Sequence, residues 1–294
     1  MPNFEKNLGE KIRELRKKRG ITQKDLAGDK ITRNMLSLIE SGNASPSVST
    51  LLYIAERLEA PTGYFFAYTP EEEARFIKLN IIIQLKNCFS LKDYRECVKI
   101  CADIPFYAVD DESAHILAVS YLNTACNFAD YMDFKNAFAD LDKSEKFAAS
   151  SVYCMNSFFR ALNFYRILFH SVDTDEFPEA ICDPTVCGEY VPYSLVHYFI
   201  SLKTLKSGDD PTVSFPAGSF AERHLSALTL VMEERVIDGL KKLRELSLDP
   251  LLPYYMQYRV FSDLEYAANA AGDVRLAYSS SRRKLEIIDS FRSL

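Results

Sequence analysis

A six-residue pattern recurs five times between residues 93 and 278: acidic or polar, large apolar, two unrestricted positions, small, apolar. The copies are Asp93-Tyr94-x-x-Cys97-Val98, Asp133-Phe134-x-x-Ala137-Phe138, Glu176-Phe177-x-x-Ala180-Ile181, Arg235-Val236-x-x-Gly239-Leu240 and Asp273-Val274-x-x-Ala277-Tyr278. Repetition at intervals of tens of residues restricts a chain to stacked copies of one supersecondary unit, each burying its apolar face against the next. From Pro70 onward strand-like alternation is almost absent, so the unit reads as a helical hairpin whose second helix the pattern heads. The Cys, Ala or Gly lets that helix cross its partner closely, and the preceding large residue is expected to fill the space beside the crossing. Successive copies lie 40, 43, 59 and 38 residues apart, against about 34 for an ideal two-helix repeat. The longest interval holds an extra helix near 190–207 and the breaker run SGDDPTVSFPAG. About five irregular hairpins are therefore expected over residues 71–294.

Residues 1–68 read differently. Leu8, Ile12 and Leu15 recur at i, i+4 and i+7, which predicts a helix over about 4–18 that ends at a left-handed Gly20. Thr22 opens T-Q-K-D, a capping box with Asp25 as its reciprocal acceptor, ahead of inward-facing Leu26 and Ala27. Gly28-Asp29-Lys30 is a tight turn. Thr32 then caps a helix that points Leu36 and Ile39 to the core and stops at Gly42. Pro46-Ser47 starts a fourth helix carrying Leu51, Leu52, Ile54, Ala55 and Leu58, and PTGYFF closes the unit as a short aromatic turn. Two of these five short helices, joined by a three-residue turn, make a helix-turn-helix.

Charge divides along the same line. The formal net charge of −6 conceals 11 Lys/Arg against 8 Asp/Glu in residues 1–68, and 24 against 33 in the remainder. A basic head on an acidic body is what a chain needs if only its head meets phosphate. No apolar run approaches the roughly 18 residues of a membrane span, and the first twenty residues lack an apolar leader core, so a soluble cytoplasmic protein without a membrane partner is expected. The seven cysteines form no C-x-x-C pair and fit reduced thiols; Cys97 and Cys101 stand one helical turn apart without an evident His partner, so neither metal nor cofactor is expected. His115, His170, His197 and His224 fall on separate predicted helices. Metalloprotease, nucleophile-elbow and phosphate-loop motifs are all missing, and Asp110-Asp111-Glu112 reads as a helix start, so an enzyme is not expected.

The head carries a resemblance. LGEKIRELRKKRGITQKDLA followed by ITRNMLSLIESGNASPSVSTLLYIAERL is similar to the Cro/repressor-type, XRE-like helix-turn-helix family over about the first 66 residues. Its inter-helix turn is about one residue shorter than the commonest form. The resemblance implies an ion pair between Arg16 and Glu40, and a double-stranded DNA operator as partner. With Thr32 to Ser41 in a major groove, Thr32, Arg33, Asn34, Ser37 and Leu38 would reach base edges; Arg33 suits guanine and Asn34 adenine. Gln23 resembles the family's backbone-positioning residue, and Lys17, Lys18, Arg19 and Asn43 are candidate phosphate contacts.

Residues 71–294 resemble tetratricopeptide-repeat proteins, whose first helices line a concave face able to hold an extended peptide. Asn123 and Asn127, then Asn156, Arg160 and Asn163, recur at helical spacing on first helices, with Tyr255, Tyr258 and Arg259 as a third set. Asn is a poor helix former, so its recurrence points to a polar lining. A Cro-type head on such repeats resembles the PlcR/Rgg-type peptide-pheromone receptors. That resemblance implies an all-α, homodimeric, quorum-sensing transcription regulator: a DNA-binding domain over 1–68, and a repeat domain over 71–294 that dimerises and senses a short signalling peptide. The alternative is a regulator whose repeats bind a protein partner or only dimerise.

Overall fold

A computed structural model describes residues 4–101, 109–171, 178–211, 213–250, 252 and 254–292. Among them the chain forms fourteen α-helices and no strand. It divides into two units, residues 1–90 and 91–294.

The first unit contains α1 (Phe4–Lys18), α2 (Gln23–Ala27), α3 (Arg33–Glu40), α4 (Val48–Arg57), a 3-10 turn (Thr62–Phe66) and α5 (Pro70–Ser90). Each early boundary has a local cause. Gly20 takes φ 68° behind α1, and Thr22 accepts from the Asp25 N–H while Asp25 accepts from the Thr22 N–H. Thr32 caps α3 through Met35 N–H, Ser47 caps α4 through Thr50 N–H, and Gly42 stops α3 at φ 73°. One core results, built from Leu8, Ile12, Leu26, Leu36, Ile39, Leu51, Ile54, Leu58 and Phe65. Leu52 faces outward from it.

Lys11 is the unexpected member. Only 6% exposed, its Nζ donates to Tyr64 O at 3.0 Å and Ala67 O at 2.6 Å and pairs with Glu73 at 2.7 Å. Two carbonyls and a carboxylate satisfy the three protons of a buried ammonium, which would otherwise be too costly to desolvate. The same contacts tie α1 to the first turn of α5.

The second unit runs α6 (Tyr94–Cys101), α7 (Asp111–Asp130), α8 (Phe134–Ala149), α9 (Asn156–His170), α10 (Tyr193–Lys206), α11 (Phe220–Met232), α12 (Val236–Ser247), α13 (Tyr254–Ala270) and α14 (Val274–Arg292). Helical hairpins α7/α8, α11/α12 and α13/α14 make it a helical-repeat domain. The small residue of the repeated pattern is buried wherever the pattern heads a helix, at Cys97, Ala137, Gly239 and Ala277. At Gly239 a Cβ would lie 2.8 Å from Ala227 O, so α12 crosses α11 at backbone contact. The large residue is less constant than expected: Phe134 is fully buried, whereas Val274 is 76% exposed.

A second regularity precedes each of these four copies. Lys92, Met132, Glu234 and Gly272 have φ of 59°, 60°, 64° and 75°. The three later ones close their first helices with paired back-bonds, as in Asp133 N–H to Phe128 O and Met132 N–H to Ala129 O. This is the Schellman arrangement, here carried mostly by side-chain-bearing residues that pay roughly 1 kcal/mol or more for the left-handed conformation.

The third copy corrects the expected hairpin series. Glu176 and Phe177 lie outside the described residues, and Ala180 and Ile181 sit in a 3-10 turn, Glu179–Cys182, followed by another at Pro184–Val186. Pro178 and Pro184 lack the N–H groups a helix needs and constrain the residues before them, so a second α-helix does not form. Ile181 still plugs the core at 0% exposure.

Candidate functional site

The first α3 turn presents its side chains to solvent because Leu36, Ile39 and Glu40 take the inward positions. Thr32, Arg33, Asn34 and Ser37 are exposed, as are Met35 and Leu38, each nearly half. Thr32 has a structural duty, its Oγ1 accepting from Met35 N–H at 3.1 Å. The side chains of Arg33 and Asn34 make no hydrogen bond or ion pair among the described residues.

Arg16 grips the far end of α3. Its Nε donates to Glu40 Oε1 at 2.6 Å, its Nη2 to Oε2 at 2.9 Å and its Nη1 to Ile21 O at 3.0 Å. These hydrogen bonds to Glu40 hold the guanidinium pKa above its ordinary value. Gln23 is drawn into the same cluster, donating from Nε2 to Glu40 Oε2 at 2.9 Å. That bond uses one of the two amide N–H donors and fixes the side chain beside α3, leaving the second N–H and the carbonyl oxygen for other partners.

Above this cluster lies a cleft of about 630 Å³ rimmed by Arg13, Lys17, Lys24 and Arg33. Arg13 and Lys24 were not among the residues singled out from the sequence. Arg13 and Lys17 are four apart on α1, off the Leu8-Ile12-Leu15 stripe, and that spacing is the signal that reveals them. Lys17 and Lys18 are exposed. Arg19 departs from the expected pattern by pairing with Glu59 at 2.7 Å, and Asn43 is exposed with its Nδ2 donating to Ser41 Oγ.

In the second unit the expected lining residues separate. Asn156, Arg160 and Asn163 meet on a cleft of about 440 Å³ facing Asp183 and Val186. Arg160 there donates to the Thr185 hydroxyl and lies 3.9 Å from Asp183, whose pKa is lowered chiefly by hydrogen bonding from Thr185. Asn123 and Asn127 are half-buried on α7, away from that cleft, and the Asn123 amide donates back to Val119 O. Tyr255's side chain lies outside the described residues. Tyr258 and Arg259 are interior, 8% and 2% exposed. Arg259 donates to Ser171 O at 3.1 Å and stacks over Phe199, so it joins α13 to the end of α9 and is not a groove residue.

A different cavity, about 470 Å³, lies where α7, α9, α10, α11 and α13 converge. Its wall includes Cys126, Asp130, Tyr165, Phe169, Tyr198, Phe220 and Met256. Burial pushes the Cys126 thiol up to about 12 and raises the Asp130 carboxyl above its ordinary value. A carboxyl whose pKa is higher folded than unfolded opposes folding once both states are ionised. Asp130→Asn should therefore raise Tm at pH 7. The gain should vanish below about pH 4, where both states bind the proton, and paired melting curves across pH measure it.

Behind Tyr198 its hydroxyl meets His224 Nδ1 at 2.8 Å. His224 Nε2 lies 3.2 Å from Asp263, which Lys206 reaches at 2.9 Å. Among the described residues, no three His, Cys, Asp or Glu side chains converge as a metal site, and no helix is long and apolar enough to cross a membrane.

Residues 9–69 match the family model described as a helix-turn-helix domain. No curated protein matches the chain. Among solved structures it aligns with PlcR of Bacillus thuringiensis, crystallised in complex with the peptide PapR7 and DNA: 14% identity, 98% of this chain and 97% of that one, TM-score 0.25. It also aligns with the SHP pheromone receptor Rgg2 of Streptococcus dysgalactiae: 14% identity, 95% and 99% coverage, TM-score 0.19. Superpositions at those scores do not establish a common arrangement. The family match and the packing of α1 to α4 agree on the N-terminal unit: residues 9–69 are a helix-turn-helix domain that holds α3 outward on a closed apolar core.

Proposed function

We propose that the chain is a sequence-specific DNA-binding transcription regulator whose repeat domain dimerises and senses a short peptide. The observation that carries the DNA half is the exposed, uncommitted pair Arg33 and Asn34 on the leading turn of α3, beside a cleft rimmed by four cations. Arg33 offers a fork matched to guanine O6 and N7, Asn34 a donor and acceptor matched to adenine, and Arg13, Lys17 and Lys24 charges for the flanking phosphates. Lys18 adds a fourth phosphate contact at the end of α1.

Binding selection on random duplexes, followed by anisotropy titration, tests this. Arg33→Ala should cost about 1–3 kcal/mol on the selected site and relax preference at one base pair, whereas Lys18→Ala should weaken all sequences alike and lower the salt slope by about one. Equal losses on selected and random DNA for Arg33→Ala would contradict the groove placement.

The cleft at Asn156, Arg160 and Asn163 and the aromatic cavity support the sensing half, since both offer the mixed polar and apolar lining a peptide requires. Calorimetric silence with candidate peptides, with regulation intact in Asn163→Ala, would remove it. The α14 surface supports the dimer: Val274, Tyr278 and Leu285 are 76%, 71% and 58% exposed on one side of the helix. Tyr278→Glu should shift the sedimentation coefficient toward the monomer value. If the wild-type chain is dimeric and takes no peptide, the repeats serve assembly alone.

A further inference from the structure

The cavity between α7, α9, α10, α11 and α13 holds a carboxylate with no counter-charge among the described residues that line it. Asp130 lies on its wall among Tyr165, Phe169, Tyr198 and Phe220. It is half-buried and makes no hydrogen bond or ion pair among the described residues. The rings stand in pairs, Tyr198 with Phe220 at 5.3 Å between centroids and Tyr165 with Phe169 at 5.9 Å. Asp130 is also the last residue of the 20-residue α7, which has no basic side chain in its final turn. A carboxylate there sits at the negative end of the helix dipole, a position that favours a cation and penalises an anion. Aromatic faces and an anion in a partly dehydrated site are the two elements with which proteins bind alkylammonium groups.

From this cavity we infer that the repeat unit recognises an organic cation, an ammonium or guanidinium on an apolar stem, with Asp130 as counter-ion and the aromatic pairs around the stem. The inference rests on the reading that this unit takes a small effector and names that effector's chemistry. A volume of about 470 Å³, toward the lower end of ligand pockets, accommodates a short stem or one or two side chains. The cationic group has two sources within a peptide, a terminal amine or a Lys or Arg side chain, and both satisfy the same geometry.

Calorimetric titration of the full chain at pH 7.5 with hexylammonium and its neutral counterpart hexanol tests the charge. Hexylammonium should bind at least tenfold more tightly, and Asp130→Asn should abolish that preference while leaving hexanol unchanged. Phe220→Leu should weaken both probes. Phenylalaninamide, with a terminal ammonium, and N-acetyl-lysine methylamide, with only a side-chain ammonium, separate the two sources; a preference lost in Asp130→Asn for either one supports the site. Equal affinity for hexylammonium and hexanol, or a preference that survives in Asp130→Asn, overturns it. Peptide binding that is unchanged in Asp130→Asn would overturn this assignment and leave the peptide-sensing reading standing.

Discussion

Glu40→Ala should destabilise the head by about 3–5 kcal/mol and abolish DNA binding at temperatures where the wild-type chain is folded. The Glu40 side chain is 3% exposed and that of Arg16 12%, and removing one partner of a buried pair strands the other charge. Here the loss orphans two guanidinium donors and the Gln23 amide together. A typical domain is stable by only about 5–15 kcal/mol, so the expected loss is a large share of the total. Urea denaturation followed by circular dichroism measures it. The double change Arg16→Met with Glu40→Leu should recover most of the stability, since an apolar pair of similar volume avoids the desolvation cost. Recovery of stability without recovery of sequence preference would show that the ion pair also sets the tilt of α3.

Gly9→Ala should have a comparable effect by a different route. In the middle of an exposed helix this change would gain about 1 kcal/mol of helix propensity. At residue 9 the added methyl would lie 2.2 Å from Ile39 O and 2.9 Å from Glu40 O. Both are backbone atoms, which cannot swing aside as a side chain would, so α1 and α3 must separate. Overpacking costs about 1–3 kcal/mol even where side chains yield, and a net loss of about 3 kcal/mol is expected in a thermal or urea melt. A stabilised Gly9→Ala protein would mean that α1 and α3 do not meet backbone to backbone at residue 9.

The legible parts of this chain are those set by near neighbours in sequence. The α1 span of 4–18, the caps at Thr22, Thr32 and Ser47 and the stops at Gly20 and Gly42 each depend on a few adjacent residues, and the all-helical class follows from their accumulation. Long-range contacts stayed hidden. Lys11 reads as one more basic residue on a charged helix until Tyr64, Ala67 and Glu73 are folded against it. Arg259 reads as a groove cation because its partner, Ser171 O, lies 88 positions away. Lys92, Met132 and Glu234 give no hint of left-handed backbone, since none is a residue type that seeks it.

The candidate sites divide in the same way. Arg33 and Asn34 could be placed from the α3 pattern alone, because the face opposite Leu36 and Ile39 must meet solvent. The Asn156-Arg160-Asn163 set follows from its spacing on one helix. The aromatic cavity needs five helices to converge, and no single segment advertises it.

Lys11 gives the stretch from Pro70 to Ser90 a mechanical meaning. α5 is fastened to α1 at Glu73, and from there the helix runs on for another 17 residues, about 26 Å at about 1.5 Å per residue, before it ends at Ser90. A load on the far end of that rod would reach α1 through the Lys11 contacts, and α1 in turn meets α3 at Gly9 and at the Arg16–Glu40 pair. Lys11→Met should leave the core of the first unit folded while freeing the first turn of α5 from α1, which faster hydrogen exchange at the start of α5 would report.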